Sequence, residues 1–170
     1  MNYWILQSNP KKFLLGRDDF LLRREGELDW WGIKSDGYIN KVKEKNTVFI
    51  WHSIDNRNPK FPKPRGIYAR GVVLSVWPNH SPEVKNKIKE LKERERSAFR
   101  DPSEANKQEA KPDILLQYCK SYKKPLTYDD LLRAGLGDIR IVNFSKLEIC
   151  SLSESNARKI LRLLEDNGEC

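Results

Sequence analysis

An α+β domain is the fold class this sequence predicts: one curved mixed β-sheet or small β-barrel, flanked by helices. Three observations predict it. Runs rich in aromatic and β-branched residues recur along the chain, bounded by Pro- and Gly-containing connections. Segments of good helix formers begin at capping residues. The order strand, helix, strands, helix, strand, helix implies helices packed against one sheet.

Tyr3–Ser8 reads as a strand that stops at Asn9 and Pro10, because proline cannot continue a central ladder. Asp18–Glu25 reads as a short helix with Asp18 near its start. Trp30–Ile33 is a short strand or turn, followed by a basic connection to Asn46 with one helical turn. Thr47–Ser53 is a strand on its β-branched and aromatic content. Ile54–Gly66 is a long loop with three prolines and four basic residues. Gly66–Trp77 is the next strand, and Gly71 marks a bulge. A helix starts at Ser81, Pro82 and Glu83, with a narrow apolar stripe of Val84, Ile88 and Leu91. Pro102–Asp113 is polar and expected to be mobile. Ile114–Ser121 is a strand, and Asp138–Phe144 a short one. Thr127–Gly135 is a helix with Thr127 as N-cap, Asp130 as its acceptor partner and Gly135 as stop. A closing helix is capped by Ser153, with Ile160, Leu163 and Leu164 on one face. The expectation is a single domain over 1–170, with a charged helical insertion around 79–111.

The 170 residues suffice for one domain with a real core. With 33% charged residues, a net charge of +8 and a pI near 9.4, a polyanion is the expected partner, nucleic acid first. Cys119, Cys150 and Cys170 are far apart and form no CxxC, so neither a disulfide framework nor a zinc site is expected. Two histidines leave a metal site poor in ligands. No stretch is apolar and long enough for a signal peptide or a membrane span, which predicts a reduced, cytoplasmic protein with no membrane partner. Walker A, HExxH and GxSxG patterns are absent. Asp129 and Asp130 are explained by a helix N-terminus. No enzyme activity and no cofactor are expected.

The order of short motifs carries more. Ser8-Asn9-Pro10 ends the first strand, Trp31-Gly32-Ile33 follows, then Ile39–Asn46, Trp51-His52-Ser53 and Gly66–Val73. In that order these five resemble the EVE domain family, which has a PUA-like fold and is related to the YTH readers of methylated adenine. Lys123–Leu161 is similar to the family's C-terminal third, so the resemblance spans nearly the whole chain outside the charged insertion. Two departures stand out: Lys45-Asn46 in place of a Gly-Asp turn, and Trp51 in place of Tyr.

The resemblance implies a module that recognises a modified base, by preference a flipped 5-methyl- or 5-hydroxymethylcytosine in DNA. It would act as the specificity domain of a modification-dependent restriction system, beside a nuclease or a motor ATPase. N6-methyladenine recognition, or an RNA-binding role in RNA modification, is the alternative. Such a reader needs flat aromatic walls and polar groups for the base edge. Trp31 is the first candidate wall. Trp30 points the other way if the segment is extended, so one ring of the pair is buried and one lines the pocket, in an order left open. Trp51 and Trp77 are further candidates, with core as their alternative role, whereas Trp4 is expected in the core. Ser8, Asn9 and Ser53 are candidates for the base edge. His52 faces away from Trp51 and is expected to be structural. Lys34, Lys41, Arg57, Lys60, Lys63 and Arg65 are candidates for the nucleic-acid backbone, with Phe61 as a wedge.

Overall fold

The computed structural model describes residues 2–8, 24–33, 37–53, 64–96, 101–140 and 149–167. Six strands form one mixed sheet: β1 (Tyr3–Ser8), β2 (Leu28–Gly32), β3 (Thr47–His52), β4 (Gly66–Val76), β5 (Asp113–Thr127) and β6 (Ile149–Leu152). Their order is β2-β5-β4-β3-β1-β6. β1 and β3 run parallel, and every other pairing is antiparallel. The helices among the described residues are α1 (Pro82–Glu95), α2 (Pro102–Glu109), α3 (Tyr128–Arg133) and α4 (Glu154–Asp166).

The sheet curls into a half-barrel. Register shifts interrupt the β4–β5 ladder at three places, after Ile67, Arg70 and Val73, and each bends the ribbon and raises its twist. Glycine sits at two of the close approaches this produces. A Cβ on Gly66 would lie 2.5 Å from the Leu126 carbonyl oxygen, and one on Gly71 2.7 Å from that of Gln117. The expected bulge at Gly71 is present.

Strand alternation sorts the core onto two faces. Trp4 and Leu6 of β1, Val48 and Ile50 of β3, and Ile114, Leu116 and Tyr118 of β5 share one cluster with Ile39 and Val42. On the other face, Ile5, Phe49, Trp51 and Leu126 pack under Leu131 of α3 and Ala157, Ile160 and Leu164 of α4. Further along, Trp30 and Leu115 pack with Ile88 and Leu91 of α1 and Ala105 of α2. Trp4 is core, as expected, and its Nε1 donates to Asn46 Oδ1 at 3.0 Å.

Several expectations are corrected. Pro102–Asp113 contains helix α2, held because Ala105 is fully buried. β5 is longer than expected and runs on to Thr127. β6 was not expected; it ends at Leu152, just before the expected Ser153 cap of α4. The Asp18–Glu25 helix and the Asp138–Phe144 strand lie largely outside the described residues.

Candidate nucleic-acid interface

At the carboxyl ends of the parallel pair β1 and β3, three polar residues are buried: Gln7, Ser8 and His52. Alternation places Ser8 with Trp4 and Leu6, on the face of the first cluster, and Gln7 on the opposite face. Gln7 Nε2 donates to Ser53 Oγ, so Ser53 is engaged on Gln7's side of the sheet. The Ser53 N–H donates to the Ser8 carbonyl at 3.4 Å and ties the two strand ends together. His52 meets Tyr68 edge-on, with ring centroids 5.6 Å apart. The Tyr68 hydroxyl donates to the Pro64 carbonyl at 2.7 Å, and burial pushes its pKa up to about 12. It therefore stays a neutral donor at any working pH. Gln7 and Tyr68 were missed by sequence reasoning, though a glutamine inside an apolar strand was a visible signal.

Trp31 stands at the other end of the long strands. It pairs with Ile114, which pairs with Val76, so these three side chains form one cross-strand row. Trp31, Val76 and Tyr38 are partly buried against the first cluster. That cluster also carries Leu6 and Tyr68, so Trp31 and Ser8 rim one face of the curled sheet. Trp77 follows β4 with 47% of its surface exposed, and its N–H donates to the Asp113 carbonyl at 2.9 Å.

The structure corrects two candidates. Trp30 is 5% exposed and lies between β2 and α1, with Lys92 Nζ 4.9 Å from its ring centroid. Trp51 is 2% exposed in the cluster beneath α3 and α4. Both sit on the helix-covered face because their strand neighbours Trp31 and Ile50 take the other one. The sequence left the order of the Trp30 and Trp31 pair open; here Trp30 is the buried ring.

The basic connection is a rigid turn. Ile39 and Val42 are buried, whereas Lys41, Lys43 and Lys45 are exposed. Asn46 is buried and accepts from the Lys43 N–H and from Trp4. Lys45 takes a positive φ of 64° and donates its N–H to the Val73 carbonyl at 2.8 Å. Three lysines thus point outward from an anchored backbone. Asn9, Lys34, Arg57, Lys60, Phe61 and Lys63 lie outside the described residues.

Arg65 is held at the entry to β4. Its guanidinium carbon stacks 3.4 Å from the Tyr128 ring centroid, and its carbonyl accepts the Tyr128 N–H. Tyr128 opens α3, whose cap is the expected capping box of Thr127 and Asp130. Burial alone would raise the Asp130 pKa. Hydrogen bonds from the Thr127 side chain and backbone, with the charges of Arg133 and Lys124, outweigh it and hold the carboxyl below its ordinary value. A depressed folded-state pKa gives stability above the unfolded value, lost as pH falls through the folded one. Thr127→Ala is expected to raise the Asp130 pKa toward the ordinary carboxylate value in an NMR titration and to cost about 1 kcal/mol at neutral pH.

A buried polar network was also missed. His80 Nδ1 is 2.8 Å from Ser75 Oγ, and His80 Nε2 is 2.8 Å from Asp113 Oδ1. Lys92 Nζ donates to Asp113 Oδ2 at 2.6 Å. The Ser, His and Asp order invites comparison with a hydrolase triad. Ser75 is only 4% exposed and Lys92 holds the second carboxylate oxygen, which describes a structural anchor for α1. No cluster of metal-ligating side chains occurs among the described residues. No helix among them is long and apolar enough to cross a membrane.

Comparison with curated proteins by sequence gives no match. Solved structures share the fold. A hypothetical protein from Leishmania major is 16% identical, with 98% of this chain and 96% of that one covered at a TM-score of 0.61. Human THYN1 protein, in complex with DNA containing 5-methylcytosine, is 17% identical, with 97% and 98% covered at a TM-score of 0.61. The DUF55 domain of human thymocyte nuclear protein 1 is 17% identical, with 96% and 98% covered at a TM-score of 0.59. These identities speak to fold alone. A sequence model of the EVE domain matches residues 2–163, almost the entire chain. The chain belongs to the EVE domain family.

Proposed function

We propose that this protein is a non-enzymatic module that reads a modified base in DNA, a flipped 5-methyl- or 5-hydroxymethylcytosine by preference. The observation that carries the reading is the pair of rings at one end of the long strands, the half-buried Trp31 and the exposed Trp77. An aromatic wall supplies base stacking, and polar groups at the strand ends read the base edge. Asn9 follows Ser8 directly and carries both a donor and an acceptor. Trp77 is the exposed ring available to stack beside the extruded base. Lys41 and Arg65, with Lys34, Arg57, Lys60 and Lys63, supply phosphate contacts. Family membership, the net charge of +8 and the methylcytosine DNA bound by the human THYN1 protein support the assignment. In its cell the module would be the specificity element of a modification-dependent restriction system, delivering a nuclease or motor ATPase.

Fluorescence anisotropy at fixed salt tests this with short DNA and RNA carrying cytosine, 5-methylcytosine, 5-hydroxymethylcytosine or N6-methyladenine. Tighter binding of one modified cytosine in DNA is the expected result. A preference for N6-methyladenine or for RNA would move the assignment to the YTH-like alternative. Equal, salt-sensitive binding of every probe would leave only a basic surface.

A further inference from the structure

A cleft of about 230 Å³ opens beside the edge strand β6, away from Trp31, Trp77 and Ser8. Tyr38, Asp138, Arg140, Ser151, Leu152 and Asn156 line it. They come from four places in the chain: the basic turn, the segment after α3, β6 and the first turn of α4. The volume is below the roughly 300–1,000 Å³ of drug-sized sites and suits one base-sized ring. Tyr38 provides a flat wall. Its ring is braced edge-on by Trp4, with centroids 6.4 Å apart and planes at 89°, so it is fixed before any ligand arrives. Lys41 Nζ lies 6.0 Å from the same ring centroid, and Arg140 is exposed at the mouth. Asp138 is exposed there too.

Charges of both signs at one mouth, over an aromatic wall, call for a ligand that presents N–H donors and an anion together. A nucleotide does so, and free phosphate does not. We propose that this cleft is a second nucleotide subsite, which takes an unmodified base of the bound strand. The base stacks on Tyr38, and the Asp138 carboxylate accepts from an exocyclic amine, which favours cytosine, guanine or adenine over thymine. Arg140 and Lys41 hold the adjacent phosphate. The inference rests on the nucleic-acid reading above, and it adds sequence context to base recognition.

The test is an NMR titration of the full chain with the 5′-monophosphates of deoxycytidine, deoxyguanosine and thymidine, and with inorganic phosphate. Saturable shifts of the Asp138, Ser151 and Asn156 amides are expected, at least fivefold tighter for deoxycytidine or deoxyguanosine monophosphate than for thymidine monophosphate. Asp138→Asn should erase that difference, and Arg140→Ala should weaken all three several-fold; both positions are exposed, so folding is not at stake. Modified-base preference in oligonucleotides should survive in both variants. Inorganic phosphate binding as well as the nucleotides, or nucleotide shifts outside these residues, would overturn the subsite. If modified oligonucleotides bind while no cleft amide moves, the subsite fails and the base-reading assignment stands. If the cleft saturates with nucleotide but no oligonucleotide preference exists, the reverse holds.

Discussion

Trp31→Ala is expected to remove the preference for modified DNA and leave the fold intact. Stacking of a base on an aromatic ring is worth about 1–3 kcal/mol, so the preferred oligonucleotide should weaken by roughly 5- to 150-fold. A methyl group adds only about 0.8 kcal/mol on the transfer scale, so discrimination depends on the wall that shapes the niche as well as on the methyl itself. The loss should therefore appear as convergence of the modified and unmodified affinities, both retaining their salt dependence through the lysines. Trp31 is only partly buried, so truncation opens no sealed cavity. Trp30→Ala is the control. That ring is 5% exposed under α1, and its removal should cost about 3–5 kcal/mol in urea unfolding while the surviving folded fraction keeps its base preference. If Trp30→Ala alone erased the preference, or Trp31→Ala left it untouched, the wall would have been placed on the wrong face.

The pair also shows what a sequence can and cannot specify. Alternation dictates that adjacent strand residues face opposite ways, but not which way. The direction is set by α1, whose Ile88 and Leu91 cover Trp30 from far along the chain. β1, β3 and β4 were legible because their aromatic and β-branched content is strong over five or more residues. β6 has four residues and owes its strand state to pairing with β1, a tertiary contact that no local pattern carries. Caps were legible at Ser81, Thr127 and Ser153 because the capping hydrogen bond is made within one turn. Helix α2 was not, since its sequence is polar and it is held by tertiary contacts: the buried Ala105 and the hydrogen bonds of Lys92 and Arg96 to Glu109 and Asn106. Of the proposed site, Trp31 and Ser8 rest on family motifs in the sequence. Gln7, Tyr68 and the cleft beside β6 depend on which strand ends the sheet brings together.

Helix α1 looked like a solvated mixture of charges in the sequence, and one residue of that mixture, Lys92, turns inward. Asp113→Ala is expected to be the most destabilising single change at a polar position, costing about 3–5 kcal/mol in urea unfolding, because it breaks a buried ion pair from one side. Asp113 is 6% exposed and holds His80 through one oxygen and Lys92 through the other. Without it, the Lys92 ammonium keeps, among the described residues, the Glu109 carbonyl at 3.1 Å and the face of Trp30, with its side chain 18% exposed. Removing the cation instead should cost less. In Lys92→Met the unbranched stem still covers Trp30, and the carboxylate retains His80. The pair therefore distinguishes two origins of stability. A cost for Asp113→Ala well above that for Lys92→Met means the carboxylate compensates a buried cation. Equal costs would mean that the contact stabilises through packing alone. The carboxylate also anchors the strand end whose backbone carbonyl holds the N–H of Trp77, a ring of the proposed interface. Loosening β5 at this end frees the exposed ring, so Asp113→Ala should also weaken DNA binding in molecules that remain folded. Lys92→Met, which leaves the Asp113–His80–Ser75 chain in place, should leave that binding unchanged.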